Sequence, residues 1–185
     1  MFFVVEKEFV LKLARQSIAN YFENKNLLEI EDEQIPDLLR QTLSCFVTLT
    51  KKGQLRGCIG HLEATQALYL DIIENAVGAA FRDPRFNPLV ESEFLEIKIE
   101  ISILTPVTPL VFKDAEDLLN KLRPNIDGVI FRRGRKGATY LPQVWEELAD
   151  KKEFLSSLCL KAGLAKDDWE KSGLEVSVYQ VEVIK

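Results

Sequence analysis

The feature that most restricts the fold is a strict alternation of isoleucine with polar residues. From Ile97 to Ile103 every second residue is isoleucine, and charged or hydroxyl residues stand between them. Successive side chains of a β-strand point to opposite faces, so this segment has one apolar and one polar face. It is therefore predicted to be a half-buried strand with a hydrophobic core on one side.

The other predicted strands come mostly in pairs. Two β-prone runs flank a loop that contains Gly53, whose freedom to adopt a positive φ suits a hairpin, and two shorter runs flank the charged residues 133–136. The last strand changes its apolar phase between Val178 and Val181, which favours a bulge or burial on both faces. The predicted strands are 42–49, 55–62, 97–103, 128–132, 138–141 and 174–183.

The helices are predicted from apolar residues that recur at three- and four-residue steps. Thr65 is the expected N-cap of the second helix, and Asp83-Pro84 ends it. The predicted helices are 6–24, 65–82, 114–122, 142–148 and 154–162. Because the strands form hairpins and do not alternate regularly with the helices, the predicted class is α+β, a mainly antiparallel sheet with flanking helices.

Length and charge limit the classes of protein that this chain can belong to. Its 185 residues are expected to form a single domain over residues 1–185, either compact or with two lobes. The 24 basic and 29 acidic residues give a net charge of −5, which argues against nucleic-acid binding. No apolar stretch is long enough to cross a bilayer, and the charges at residues 6–8 argue against a signal peptide. Three widely spaced cysteines suit a reducing compartment, so we expect a cytoplasmic protein without nucleic-acid or membrane partners.

The chemically informative run is residues 55–61. On a strand Arg56 and Cys58 point to the same side, and a guanidinium beside a thiol stabilises the thiolate. Gly57 and Gly60 carry no side chain, so a ligand or another stretch of backbone can approach the strand closely. This pattern predicts a reactive thiol. The structural alternative is a buried cysteine in a glycine-kinked strand, with Arg56 paired to a carboxylate.

His61 is the one histidine of the chain. Strict alternation places it on the opposite face from Cys58, so a thiol–imidazole pair requires Gly60 to bend the strand. A structural or exposed histidine is the preferred interpretation. Because a single histidine excludes the usual zinc hydrolase sets and no close Cys-x-x-Cys spacing exists, no metal site is predicted.

The hairpin register decides whether Cys45 lies near Cys58. If Lys52 and Gly53 are the two loop residues, Val47 faces Cys58 and Cys45 lies diagonally on the same side. A shift of one residue places the two cysteines on opposite faces. A disulfide between them fits only the first register and is disfavoured in a cytoplasmic chain.

Charged residues near this hairpin are further candidates. Glu74 lies in the predicted second helix, and Asp83 and Arg85 lie in the turn that ends it. Carboxylates there can orient Arg56 or a substrate, and solvated helix caps explain them equally well. The basic tip at residues 132–136 can meet a phosphate, but a solvated hairpin end is the better explanation in an acidic chain.

Four runs occur in order along the chain: LRGCIG at 55–60, RDPRFNPL at 82–89, DGV at 127–129 and ATYLPQV at 138–144. Together they resemble the motifs of the AMMECR-one family, and the resemblance extends from about residue 9 to the final strand. Two departures are Asn87, where a proline is usual, and His61, where many members carry threonine. The second departure weakens His61 as an essential catalytic partner.

The resemblance implies a mixed α/β domain whose cysteine motif lines a cleft between a larger and a smaller lobe. The family has no settled reaction. Its prokaryotic members are similar to the A component of AmmeMemoRadiSam systems, which are associated with Memo-type dioxygenase-like proteins and radical SAM proteins. The resemblance therefore implies those two classes of protein as partners in an iron- or radical-dependent modification pathway.

Two functions remain open. In the first, the chain is an accessory component that binds a small molecule, a peptide or a partner protein, without a cofactor. In the second, Cys58 is the nucleophile or thiolate ligand of an enzyme, Arg56 lowers its pKa or holds an anion, and Glu74 or Asp83 orients Arg56. We favour the first, because the chain offers no complete acid–base–nucleophile set. The expected ligand contacts are Gly57, Gly60, Glu74, Asp83, Arg85, Tyr140 and Gln143, with Tyr140 and Gln143 on the opposite side of the cleft.

Overall fold

The computed structural model describes residues 4–185; residues 1–3, which precede the charges that argue against a signal peptide, lie outside the described residues. Over the described range the chain forms five α-helices and two four-stranded antiparallel sheets, which confirms the predicted α+β class. The helices are α1 (Val4–Asn24), α2 (Leu68–Phe81), α3 (Glu91–Phe94), α4 (Ala115–Lys121) and α5 (Lys151–Lys161). The strands are β1 (Ser44–Lys51), β2 (Gln54–Gly60), β3 (Ile97–Leu104), β4 (Thr108–Pro109), β5 (Gly128–Arg133), β6 (Lys136–Tyr140), β7 (Glu175–Tyr179) and β8 (Val181–Ile184).

The chain divides into two compact units. The first comprises Met1–Leu104 and Glu182–Lys185, and the second comprises Thr105–Val181. One sheet has the strand order β2-β1-β3-β8, and the other has the order β4-β7-β5-β6.

The core of the first unit lies between helices α1 and α2 and one face of β1 and β3. The alternation in β3 has the predicted effect, because all four of its isoleucines are buried in this core. Helix α1 contributes Val10, Leu13 and Ile18, which come from its predicted apolar stripe. Local periodicity was sufficient to predict both elements.

Helix α2 begins later than predicted. Its first residue is Leu68 and its N-cap is Ala67, so Thr65 is not the cap. Ala67 has extended backbone angles, forms a β-bridge with Thr42 and is followed by a hydrogen bond from the Leu68 N–H to the Gln41 carbonyl. These contacts with the chain before β1 hold the preceding residues out of the helix. The predicted end before Asp83-Pro84 is observed.

The second unit encloses its own aromatic core. Phe131, Trp145 and Phe154 are fully buried, and the rings of Trp145 and Phe154 stack with centroids 3.5 Å apart. Both regular helices have aspartate N-caps whose side chains accept a backbone N–H, Asp114 in α4 and Asp150 in α5. The segment predicted as a helix at 142–148 is a 3₁₀ helix at Pro142–Glu146.

The predicted final strand is two strands that belong to different sheets. The chain leaves β7 at Gln180, and β8 then pairs beside β3. The phase change between Val178 and Val181 marks this exchange of sheets, so the expected bulge is wrong. Two short elements, α3 and β4, were not predicted.

Candidate functional site

The β1–β2 hairpin has the predicted loop but a different register. Lys52 and Gly53 form the loop with positive φ angles of 52° and 79°. The pairing then shifts between Leu49 and Thr50, because β2 contains one additional residue at this point. Beyond this bulge Cys58 faces Thr48 rather than Val47.

The shifted register separates the two cysteines. Cys58 shares a face with Thr48, and Cys45 lies three residues from Thr48 on the same strand, so the two thiols point to opposite faces of the sheet. Cys45 is fully buried, and burial, together with the nearby Asp71 carboxylate, raises the pKa of its thiol well above the ordinary value. All three cysteines of the chain, Cys45, Cys58 and Cys159, are free.

The Cys58 thiol is half-buried beside a hydroxyl group. The Thr48 Oγ1 donates to the Cys58 Sγ at 3.3 Å. The N–H and C=O of Cys58 bond to groups outside the hairpin, so the two residues form a non-hydrogen-bonded pair, in which side chains approach closely. The sulfur is therefore held against β1 without contact with an imidazole.

Asp83 and Arg85 close the outer edge of β2 at Cys58. The Asp83 Oδ2 accepts the Cys58 N–H at 2.8 Å, and the Arg85 Nη2 donates to the Cys58 carbonyl at 3.2 Å. Arg85 also donates to both oxygens of the buried Asp83 carboxylate, at 2.9 and 2.7 Å, and these bonds hold the pKa of Asp83 well below its usual range. Since β2 is an edge strand, this ion pair occupies the place where a neighbouring strand would bind.

Arg56 has a different partner from the ones predicted. Its Nε and Nη2 donate to the Glu93 carboxylate of α3 at 3.1 and 2.8 Å, so neither Glu74 nor Asp83 orients it. Lys51 donates to the same carboxylate at 3.3 Å. The hydrogen bond from Arg56 is the main cause that lowers the pKa of Glu93 to about 2. Arg56 is thus a paired arginine, as in the structural alternative considered above.

Arg85 is the arginine that contacts Cys58, through the hydrogen bond from its Nη2 to the Cys58 carbonyl at 3.2 Å. Its hydrogen bond with Asp83 raises the pKa of Arg85. Arg56, which was predicted to lie beside the sulfur, is bonded to Glu93 instead.

The two glycines of the motif leave room for other parts of the protein. A Cβ atom on Gly57 would overlap the carbonyl group of Ala79 in α2. A Cβ atom on Gly60 would overlap the Phe46 ring and the Cys45 carbonyl. The sequence predicts that either a ligand or another stretch of backbone approaches these glycines. In the structure, atoms of the protein itself occupy the space next to both of them.

His61 lies on the face of the sheet opposite Cys58, as alternation predicts. Its Nδ1 is 2.6 Å from the Oδ1 of Asp71 in α2. The Asp71 carboxylate is buried, and its Oδ2 also accepts the Cys45 N–H at 2.8 Å and the Asn75 Nδ2 at 3.0 Å. His61 is therefore an oriented surface residue attached to a buried polar network.

Sequence reasoning missed Asp71 and Asn75. The available signal was a pair of polar residues four apart within the apolar part of helix α2. Glu74, which was predicted to serve the cysteine site, joins this network instead, because the Gln66 Nε2 donates to Glu74 at 3.0 Å and to Asp71 at 3.2 Å.

The last two predicted ligand contacts belong to the second unit. The Tyr140 Oη lies 2.9 Å from the Ser157 Oγ, and the Tyr140 ring packs edge-on against Phe154. The Oε1 of Gln143 is buried and has no hydrogen-bond partner among the described residues. The predicted site residues of the first unit thus belong to two separate hydrogen-bonded groups. Cys58, Asp83 and Arg85 form one, and Glu74 belongs to the other.

In the described residues, no three or more histidine, cysteine, aspartate or glutamate side chains are arranged to hold a metal ion. No helix within the same residues combines the length and the apolar character needed to cross a membrane.

Comparisons with known proteins extend over nearly the whole chain. The model of the AMMECR1 family matches residues 11–184. A protein of Methanothermobacter thermautotrophicus is 39% identical over 175 residues, which cover 94% of this chain and 91% of the relative. Protein MK0488 of Methanopyrus kandleri is 40% identical over 184 residues, with 97% and 88% covered. The crystal structure of the uncharacterized protein PH0010 from Pyrococcus horikoshii superimposes with a TM-score of 0.86 at 32% identity, covering 96% of this chain and 89% of that one.

Proposed function

The chain belongs to the AMMECR1 family, and we propose that it is an accessory component that binds a ligand or a partner protein and does not itself catalyse a reaction. Its proposed partners are Memo-type dioxygenase-like proteins and radical SAM proteins, with which prokaryotic members of the family are associated. The modification pathway supplies the chemistry in this proposal, and the present chain supplies binding.

The surroundings of the Cys58 sulfur carry the proposal. Its hydrogen-bond donor is the neutral Thr48 hydroxyl, and the one imidazole of the chain, that of His61, faces the other side of the sheet. A nucleophilic cysteine ordinarily has a base within hydrogen-bond reach. A hydroxyl group cannot take that role, so the geometry favours a thiol that packs and binds.

The charges around the sulfur have structural roles. Asp83 and Arg85 bond to each other and to the Cys58 backbone, and Arg56 bonds to Glu93. A catalytic carboxylate or guanidinium would have to leave these partners before it could act on a substrate. Paired groups of this kind shape a rigid binding surface at little cost on ligand binding.

A Cys58-dependent enzyme is the second candidate, and the position of Arg85 favours it. The Arg85 Nη2 donates to the Cys58 carbonyl at 3.2 Å, which places a cation next to the residue that carries the thiol. In this function Cys58 acts as a nucleophile or ligand beside the guanidinium of Arg85.

The two functions are separated by Cys58→Ser in a strain that lacks the wild-type gene. Serine retains the size of the side chain and removes the nucleophilic thiol. If the chain is an accessory component, the Cys58→Ser variant is expected to reverse the defect of the strain that lacks the gene as well as the wild type does. It is also expected to copurify equally with the Memo-type and radical SAM proteins of the same genome. A folded variant that copurifies normally and fails to restore the phenotype would establish the enzyme.

Two controls complete this experiment. Gly57→Ala distorts the contact between β2 and α2, and is expected to lose both copurification and complementation. If the wild-type chain itself captures neither class of partner, the proposed partners are wrong, whatever the behaviour of Cys58→Ser.

A further inference from the structure

The second unit contains a group of hydrogen-bond donors beside an exposed lysine. Tyr140 ends β6, and Ser157 and Lys161 lie four residues apart on α5, so that they share a face of the helix. The Tyr140 Oη is 2.9 Å from the Ser157 Oγ, and the Lys161 Nζ is 4.7 Å from the centre of the Tyr140 ring. We call Tyr140, Ser157 and Lys161 the hydroxyl–lysine cluster.

Ring packing and a hydrogen bond to the backbone support the cluster. The Tyr140 ring packs edge-on against Phe154 with centroids 5.3 Å apart, and Phe154 stacks on the buried Trp145. The Lys161 ammonium donates to the Thr139 carbonyl at 2.9 Å. These contacts restrict the Tyr140 ring and the Lys161 ammonium before any ligand binds, which lowers the entropic cost of binding.

Lys161 lacks a negative partner. No ion pair within the described part of the chain includes it, whereas Lys121 and Lys171 of the same unit pair with carboxylates. Neighbouring atoms reduce the hydration of the Lys161 ammonium and lower its pKa. This charge is partly shielded from water and has no ion-pair partner among the described residues, so it is available to an incoming anion.

The unused hydrogen-bond donors of the cluster also indicate that an anion is missing. One of the two hydroxyls donates to the other, so one O–H remains free. The ammonium has three N–H groups, and the structure assigns an acceptor, the Thr139 carbonyl, to one of them. A surplus of donors around a positive charge is complementary to an anionic oxygen, and hydrogen bonds of this charged type are the strong ones.

We propose that the hydroxyl–lysine cluster is a binding site for an anionic oxygen group, a carboxylate or a phosphate, of a small ligand. Lys161 supplies the charge, and the hydroxyl pair of Tyr140 and Ser157 supplies direction. The site lies wholly within the second unit, so it does not depend on the role of Cys58 or on the proposed partner proteins.

The test is a titration of the full-length protein with inorganic phosphate and, separately, with acetate, at an ionic strength kept constant with chloride. Binding is followed through the backbone amide signals of the cluster residues in ¹H–¹⁵N NMR spectra. At least one of the two anions is expected to cause saturable shifts centred on the cluster. The anion with the higher affinity identifies the class of ligand group.

Two variants remove parts of the site, and a third is the matched control. Lys161→Met is expected to weaken binding by about tenfold or more, and Ser157→Ala by about threefold to tenfold, since each loses a hydrogen bond to a charged group. Lys136→Met is the control, because Lys136 also donates to a backbone carbonyl, that of Gly163, but is not part of the hydroxyl–lysine cluster. It is expected to keep the affinity within about twofold of that of the wild type.

Three results would overturn the proposal. They are the absence of saturable shifts with both anions, shifts that are spread over all basic surfaces, and an equal loss of affinity in Lys161→Met and Lys136→Met. An equal loss of affinity in the two lysine variants would mean that binding depends on the overall positive charge of the surface and not on the cluster. The NMR spectra also report whether each variant is folded, and Ser157→Ala still tests the site if Lys161→Met does not fold.

Discussion

Gly57 has the strictest steric requirement of the residues in the cysteine motif. Its Cα faces the backbone of α2 at Ala79, and the carbonyl oxygen there occupies the space that a side chain would need. A backbone atom cannot turn away as a side chain can. The strand and the helix must therefore separate if this position carries any other residue.

Gly57→Ala is expected to lower the free energy of unfolding by about 3 kcal/mol, the upper part of the range for overpacking a core. Urea denaturation measures this change. Gly53→Ala is the control, since it has no neighbour within 4 Å and is strained only by its φ of +79°, which costs about 1 kcal/mol. Equal losses in the two variants would show that the contact with α2 is not the cause.

The three cysteines differ in accessibility, and this difference predicts their reactivity. Cys45 and Cys159 are fully buried and burial raises the pKa of both thiols, whereas Cys58 is half-buried. In the native protein a disulfide reagent is expected to react promptly with one thiol, and with all three after unfolding. In Cys58→Ser the prompt reaction should disappear. A prompt reaction of two or more thiols in the wild type would contradict the burial of Cys45 and Cys159.

At the scale of elements, β2 is an edge strand that is secured by ion pairs. Asp83 and Arg85 satisfy the backbone of Cys58, and Glu93 of α3 receives hydrogen bonds from Arg56 and Lys51. Such side chains saturate or crowd the edge of the sheet, and so oppose pairing with another chain. The polar residues around the motif thereby stabilise the strand that carries Cys58.

The Glu93 pair predicts a loss of stability in acid. The pKa of Glu93 is about 2 in the folded protein against an ordinary value of 4.5, so its contribution is complete above pH 4.5 and is lost as the pH falls towards 2. Glu93→Gln is expected to cost about 2 kcal/mol at pH 7, and the difference from the wild type should shrink between pH 4.5 and pH 2. Urea denaturation at several pH values measures it.

Glu96→Gln is the control for this pH dependence. Glu96 pairs with Lys51 at 3.4 Å and is more exposed than Glu93, and it has no hydrogen bond with Arg56. Its replacement is expected to have a small effect that does not change over the same pH range. A Glu93→Gln difference that stays constant down to pH 2 would contradict the assigned pair.

At the scale of the whole molecule, the last residues of the chain complete the first unit. Strand β8 lies beside β3, and Ile184 is buried in the same core as the isoleucines of β3. The first unit is therefore discontinuous in sequence, with the second unit inserted between β3 and the end of the chain. Its stability depends on residues that are remote in sequence from the rest of its core.

Ile184→Ala is accordingly expected to lower the free energy of unfolding by about 3 kcal/mol, although this residue is next to the end of the chain. Lys185→Ala, at an exposed neighbouring position, is expected to change it by less than about 0.5 kcal/mol. Thermal or urea unfolding of both variants measures the contrast. Similar small effects would mean that β8 frays, as chain ends often do.

Elements with a strong local pattern were predictable from the sequence. The isoleucine alternation specified β3, the apolar stripe specified α1, and the glycine-containing loop specified the β1–β2 hairpin. The four motifs also specified the family. These features depend on residues within a few positions of one another, which is the range over which side-chain periodicity and turn geometry act.

The tertiary structure alone decided the arrangement of the site. One additional residue in β2 changed the partner of Cys58 from Val47 to Thr48 and separated Cys58 from Cys45. The pairing of Arg56 with Glu93 depended on α3, a helix of one turn with no clear pattern in sequence. Strand register and contacts between remote segments result from the packing of the whole unit, so no local pattern could predict them.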